Sequence, residues 1–303
     1  VRGVFIDANK SLADIFERQN KPGDPTVRVN RDPDITGDQI PALLDGAEIV
    51  VVDHTALPTD VARRCRGLKH VVFLGTGARS YMNPEELSEL GIEVHLIKGY
   101  GDTAVAECAI ALMWAASRGI TQMDREMRAG NWLRQDGMQL TGKTLGLIGF
   151  GGIAAEVARI ALGSGMRLIA WNRSPKKFSG VDFVSLEALL AQSDVVSLHL
   201  LLNDETRGFL SRQRIAAMKR GVILVNTARG AVVDEAAMIE ALKSGQIHHA
   251  GLDVFNVEPL PSDHPLTQLP NVTLSAHSAF RTPEASENLI HAAWEHCRRV
   301  AGG

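Results

Sequence analysis

The chain has 303 residues, 45% of them apolar and 22% charged, with a formal net charge of −3. That length accommodates two domains with cores of their own, and the near-neutral balance gives no electrostatic reason to expect nucleic acid or an anionic membrane as partner. No run reads as a membrane span and no signal-like segment opens the sequence, so a cytoplasmic location is expected. Cys65, Cys108 and Cys297 are far apart and odd in number, which favours free thiols in a reducing compartment over a disulfide or a metal centre. The histidines show no ligand-like spacing, and no metal is expected. His248 and His249 fall on a strand, whose alternation sends their rings to opposite faces.

In chain order, short apolar runs at 3–6, 26–29, 48–52, 70–74 and 93–96 read as strands, with helices at 14–19, 38–44, 59–66 and 84–90 between them. Two helices follow at 103–118 and 120–129. A second series places strands at 144–148, 168–171, 195–198, 222–226, 250–253 and 272–274, separated by helices near 155–162, 185–192, 211–218 and 235–244. The last helix, 283–300, starts with proline in its first turn, a favoured place for it. This βαβα rhythm predicts an α/β protein with two doubly wound parallel sheets, each covered on both faces. Two such domains leave a cleft where cofactor and substrate can meet.

The strand at 144–148 runs into Gly149-Phe150-Gly151-Gly152-Ile153-Ala154, and a helix begins at once. In that context a glycine-rich turn means dinucleotide binding. Gly149 permits the tight turn and Gly151 lets backbone close on a pyrophosphate, which the helix N-terminus then favours. Ala154 takes the third glycine position, which only has to be small. The next strand ends at Trp171, and Asn172-Arg173-Ser174 follows. An acidic side chain expected here for NAD, bonding the ribose hydroxyls, is missing. A guanidinium forks onto a 2′-phosphate, so NADP is favoured, with NAD as the alternative.

Three further strand ends carry charge: Asn226-Thr227-Ala228-Arg229-Gly230, Asp253-Val254-Phe255 leading to Glu258-Pro259, and Ser275-Ala276-His277-Ser278. Carboxyl ends of parallel strands are where such sheets place their chemistry. Together with Gly75-Thr76-Gly77, Val105-Ala106-Glu107, Gly130-Asn131-Trp132 and His199-Leu200-Leu201-Leu202 with Glu205-Thr206, the sequence resembles the D-isomer-specific 2-hydroxyacid dehydrogenase family over nearly its whole length. The resemblance implies a Rossmann nucleotide-binding domain, 99–282, and a flavodoxin-like substrate domain, 1–98 plus 283–303.

It also implies that Arg229, Glu258 and His277 are catalytic. Reducing a 2-keto acid needs a hydride, a proton for the carbonyl oxygen and a grip on the carboxylate. A planar guanidinium such as that of Arg229 grips carboxylate and carbonyl oxygen together and stabilises charge on the latter. An imidazole titrates near neutrality and suits proton transfer in either direction, and a carboxylate on its other nitrogen orients it. By resemblance, backbone N–H groups of Thr76 and Gly77 bind the substrate carboxylate, with Arg79 an extra anion contact. Asp253 resembles the residue that meets the nicotinamide carboxamide, while Leu200, Leu201, Thr206, Thr227 and Ala228 line the cofactor site with His277.

Departures are also visible. Leu201 stands where the family often has proline, Gly101 where asparagine is common, Ala276 before the histidine where proline is usual, and Cys108 where histidine often follows the glutamate. Trp132, Trp171 and Trp294 read as packing residues. The apolar-faced helix 103–118 is the expected homodimer seam. No regulatory extension is expected beyond 303. The leading expectation is a reductase of small 2-keto acids such as glyoxylate or hydroxypyruvate. The alternatives are an NAD-linked biosynthetic dehydrogenase of a bulkier or phosphorylated substrate, and a nucleotide-sensing binding protein.

Overall fold

The structure, a computed structural model, describes residues 2–302. It divides into one unit of Val1–Gly101 with Thr282–Gly303 and another of Asp102–Arg281.

The first unit holds a five-stranded parallel sheet of β1 (Arg2–Phe5), β2 (Thr26–Val29), β3 (Ile49–Val52), β4 (His70–Phe73) and β5 (Glu93–Leu96). Its order, β2-β1-β3-β4-β5, is the flavodoxin-like winding. β3, Ile-Val-Val-Val, is buried at every position, as a central parallel strand covered on both faces must be. Alternation divides its side chains between two cores. Val50 and Val52 pack with Ile40, Leu44 and Val61 on one face, and Ile49 and Val51 pack with Phe16 on the other.

That second face is closed by the C-terminal helix, Pro283–Ala301, through Leu289, Ile290, Ala293, Trp294 and Cys297. Trp294 stacks on Phe16 with centroids 4.3 Å apart and donates its indole N–H to the Phe16 carbonyl at 2.9 Å. Arg298 donates to both oxygens of Asp24 at 2.7 and 2.9 Å, and this fork draws the carboxyl down to about 2.

The second unit holds seven parallel strands: β6 (Thr144–Ile148), β7 (Arg167–Trp171), β8 (Val181–Phe183), β9 (Val195–Leu198), β10 (Val222–Asn226), β11 (Ile247–Leu252) and β12 (Val272–Leu274). Their order is β12-β11-β10-β9-β6-β7-β8, so winding reverses between β6 and β9, where such sheets bind dinucleotides. β8 is an edge strand of three residues that hydropathy patterning missed, too short to show alternation. On β11, His248 is exposed and His249 buried, the opposed placement read from the sequence. His249 bonds Thr273 at 2.9 Å, and burial pushes its pKa down to about 4.

The helix Asp102–Arg118 corrects one expectation. Its apolar residues, among them Ala109, Leu112 and Met113, are buried in the core of its own unit with Leu145, Val157 and Ile223. A Cβ on Gly251 of β11 would stand 2.9 Å from the Leu112 Cβ. The apolar stripe taken for a dimer seam is therefore covered within the unit, and Thr103, Glu107, Ala111 and Arg118 are what the helix exposes.

Candidate functional site

The glycine loop sits at the reversal. β6 is buried at all five positions, so the chain must turn sharply before solvent, and Gly149 does so at φ +87°. A Cβ there would lie 2.6 Å from the His199 carbonyl oxygen, so the position admits only glycine. Gly151 caps the helix Gly152–Gly163, and a Cβ on it would meet nothing within 4 Å. That open ground before a 12-residue helix, whose first N–H groups lack helical acceptors, fits a pyrophosphate. Phe150 and Ile153 point the other way. Phe150 is buried against Phe178 and Phe183, and Ile153 packs on the same core.

Asn172 ties this loop to the end of β7. Its Oδ1 accepts the Phe150 N–H at 3.0 Å, and its Nδ2 donates to the Ser174 carbonyl at 2.8 Å. Arg173 projects into solvent and pairs with Glu205 at 2.7 Å, both side chains largely exposed. After β9, Thr206 accepts the Asn203 N–H at 2.8 Å and donates to the Leu201 carbonyl at 2.6 Å. The hydroxyl thus braces the loop at Leu201, whose side chain is exposed, with Leu200 half-buried beside it.

The end of β10 is shaped by Asn226, whose role the sequence reading missed. Buried itself, it accepts from the Ala228 N–H and donates to the Arg229 carbonyl, both at 3.0 Å. The turn between presents Thr227, whose Oγ1 is buried without a partner among the described residues, and Arg229, which is half-buried and donates to the Ala228 carbonyl at 2.6 Å. Gly230 lies where any Cβ would run into the backbone of Phe255 and Asn256. The absence of a side chain lets the Arg229 turn close against the loop that carries Glu258.

Glu258 and His277 form a pair. Glu258 Oε1 accepts the Phe255 N–H at 2.8 Å, and Oε2 takes His277 Nδ1 at 2.6 Å. The carboxylate is aimed by backbone and in turn aims the ring, leaving Nε2 free, among the described residues, for a reacting group. His277 has φ +47°, a left-handed conformation that a non-glycine residue holds only when its surroundings fix it.

Asp253 fixes it. Buried to 1% exposure, its carboxylate accepts from Ser275 Oγ at 2.6 Å and from the Ser278 and Ala279 N–H groups at 3.0 Å each. Its carbonyl accepts the His277 N–H at 2.8 Å. The expected nicotinamide contact at Asp253 therefore has a competitor within the chain, since both carboxylate oxygens hold the histidine loop. Cys108 stands against Asp253 and Ser275; burial, then the Asp253 charge, raises its thiol to about 11.

In the first unit, the Thr76 and Gly77 N–H groups that follow β4 donate to nothing within the described residues. Arg79 is exposed and ion-paired with Glu85, a partner the sequence reading did not foresee. Trp132 corrects another reading. It is 74% exposed in a stretch without regular structure, whereas Trp294 is buried and Trp171 packs on Phe209.

A doubly wound sheet with this glycine loop and a histidine–carboxylate pair at its strand ends defines a dinucleotide-binding oxidoreductase domain. The family model for the D-isomer specific 2-hydroxyacid dehydrogenase NAD binding domain matches residues 110–279. The chain is similar to the hydroxypyruvate reductase of Thermotoga maritima, 38% identical over 259 residues, 83% of this chain and 84% of that protein. It is similar also to the glyoxylate reductase of Aeropyrum pernix, 42% identical over 224 residues, 67% of each chain. The solved structure of the TT0316 protein from Thermus thermophilus superposes with a TM-score of 0.88 at 35% identity, over 100% of this chain and 97% of that one. The chain belongs to the D-isomer-specific 2-hydroxyacid dehydrogenase family, oxidoreductases that act on a CH–OH donor with a nicotinamide cofactor.

Proposed function

We propose that the protein reduces small 2-keto acids, such as glyoxylate and hydroxypyruvate, to D-2-hydroxy acids, with NADPH preferred over NADH. The observation that carries the reading is the 2.6 Å bond between Glu258 and His277 Nδ1, which leaves Nε2 to deliver a proton to a carbonyl oxygen. Glu258 orients the ring and is itself held by the Phe255 N–H. Arg229 binds the carboxylate and stabilises charge on the carbonyl oxygen. The bound nicotinamide supplies the hydride. Gly149, Gly151, Gly152 and the orphaned Thr227 hydroxyl are the groups that would hold the dinucleotide. The free N–H groups of Thr76 and Gly77 are the first unit's candidates for substrate carboxylate, which makes that unit the substrate domain and Asp102–Arg281 the nucleotide domain.

The coenzyme preference rests on Asn172 and Arg173. Asn172 offers no carboxylate to repel a 2′-phosphate, and Arg173 stands exposed at the end of β7. Its pairing with Glu205 is a weak restraint, since exposed ion pairs contribute about 0–1 kcal/mol, and a dianionic phosphate displaces it. Exposed Ile120, Met127 and Trp132, rather than the helix Asp102–Arg118, support a homodimer, which light scattering tests. Free thiols at Cys65, Cys108 and Cys297 suit a cytoplasmic setting.

The deciding experiment assays glyoxylate, hydroxypyruvate, pyruvate and a phosphorylated keto acid, each with NADPH and NADH. Highest kcat/KM for one of the two small acids with NADPH is expected. Preference for the phosphorylated acid with NADH sinks the reading, and tight nucleotide binding without turnover on any acid points to a sensor instead.

A further inference from the structure

A cluster outside this chemistry lies on the first sheet. β4 and β5 are parallel neighbours in a register that sets His70 opposite Glu93 and Val72 opposite His95. Alternation sends Glu93 and His95 to one face of β5, and His70, directly across from Glu93, shares that face. The linear spacing of the three residues hid this, because only the strand register brings them together.

One ligand atom from each of His70, Glu93 and His95 lies within 4.8 Å of the other two. His70 Nδ1 is 3.2 Å from His95 Nε2, and Glu93 Oε2 is 3.8 Å from the first and 3.7 Å from the second. Two imidazole nitrogens bound to one tetrahedral ion at ~2.0–2.1 Å stand about 3.3 Å apart, close to the separation found. The Glu93 side chain is 68% exposed, so its carboxylate is free to swing inward by the few tenths of an ångström that remain. The rings are better held. His95 is 6% exposed and His70 23%, and the ring of His296 lies against His95 with centroids 5.4 Å apart. The alternative for these atoms is a hydrogen bond between two neutral imidazoles with Glu93 solvated, which needs no carboxylate nearby and confers no metal affinity.

We propose that His70, Glu93 and His95 form a binding site for a divalent transition-metal ion of the zinc class, with water completing the coordination. Two imidazoles and one carboxylate favour zinc, cobalt or nickel over magnesium or calcium, which take oxygen ligands. His70 and Glu93 open β4 and β5, so the site is anchored at the opposite end of β4 from Thr76 and Gly77. It is therefore a clamp on the edge strand β5 rather than part of the keto-acid chemistry, and it stabilises the fold by mass action.

The test uses the full chain, stripped with EDTA and titrated with Zn²⁺ against a chromophoric chelator. The expected result is one tightly bound zinc per chain, with affinity reduced about tenfold or more in His95→Gln and in Glu93→Gln. At one fixed zinc concentration, the rise in Tm should be smaller in the two cluster variants than in the wild type and a His248→Gln/His291→Gln control. The exposed Glu93 side chain makes Glu93→Gln the variant whose folding is least at risk. Equal affinity in wild type and Glu93→Gln, or loss of binding only in the His248/His291 control, overturns the proposal. These readouts do not depend on enzymatic turnover.

Discussion

Each unit buries one aspartate at the end of a strand and uses it to hold a neighbouring loop. In the first, Asp7 accepts the N–H groups of Asp53, His54 and Thr55 at 2.9, 2.8 and 2.7 Å. In the second, Asp253 accepts from Ser275, Ser278 and Ala279. Both loops carry a histidine, but the two rings are used differently. His54 engages Asp53 through Nδ1 at 3.1 Å and the Pro33 carbonyl through Nε2 at 2.8 Å. Among the described residues, His277 hydrogen-bonds through its ring only to Glu258 and keeps Nε2 free. A buried carboxylate beneath a loop is thus a folding device common to both units. The two loops differ in that the His277 ring keeps an accessible nitrogen without a protein partner among the described residues, while both nitrogens of His54 are engaged.

The largest expected effect breaks the chemistry and spares the loop. His277→Asn keeps a residue that tolerates the left-handed backbone; kcat is expected to fall by about 10²–10⁴-fold, with the NADPH dissociation constant unchanged by fluorescence titration. Next come the two anchors. Asp253→Asn and Asp7→Asn each place an amide where backbone donors converge, at a cost of about 3 kcal/mol, read as a lower calorimetric Tm. Only Asp253→Asn is expected to lower kcat with little change in KM, since only its loop carries the proposed proton donor. An equal kcat loss in Asp7→Asn would erase the distinction between the units.

Coenzyme selectivity is a smaller effect. Arg173→Asp should shift the kcat/KM ratio from NADPH toward NADH by about tenfold or more, given the strength of charge-assisted bonds to phosphate. Glu205→Gln should tighten NADPH binding a few-fold by freeing the guanidinium. Unchanged selectivity in both places 2′-phosphate recognition elsewhere.

The smallest effect tests the structural histidine. The hydrogen bond to Asp53, with the Asp7 charge behind it, raises His54 from 6.5 to about 9. A raised histidine contributes stability that is complete below pH 6.5 and is lost as pH rises through about 9. Because the ring is 44% exposed, solvent screening limits the effect. Between pH 6.5 and 9.5 the wild type should lose about 2 °C more in Tm than His54→Gln. The same variant should leave turnover unaltered.

Much of this was legible before coordinates. The two series of strands, the glycine turn and the charged strand ends all announce themselves through local patterns, namely alternation, apolar runs and a strand–turn–helix context. What the sequence concealed lies between segments. Nothing local shows that Ser275, Ser278 and Ala279 converge on Asp253, or marks Asn226 as the brace of the Arg229 turn. The partners of Arg79 and Arg173, Glu85 and Glu205, are ordinary surface acids in the sequence. The 103–118 helix misled for a related reason: an apolar face shows that something covers it, not what does.

The first sheet's dependence on Trp294 and its neighbours has a consequence for biosynthesis. Strands β1 to β5 leave the ribosome early, yet one face stays only partly covered, by Leu12, Ile15 and Phe16, until Leu289, Ile290, Trp294 and Cys297 emerge, after the whole of Asp102–Arg281. Vectorial synthesis ordinarily lets the amino-terminal domain finish first. Here the order inverts: the later-made unit has every residue it needs while the earlier one still waits, exposing Phe5, Phe16 and Val72 to any chaperone that reads bare apolar surface.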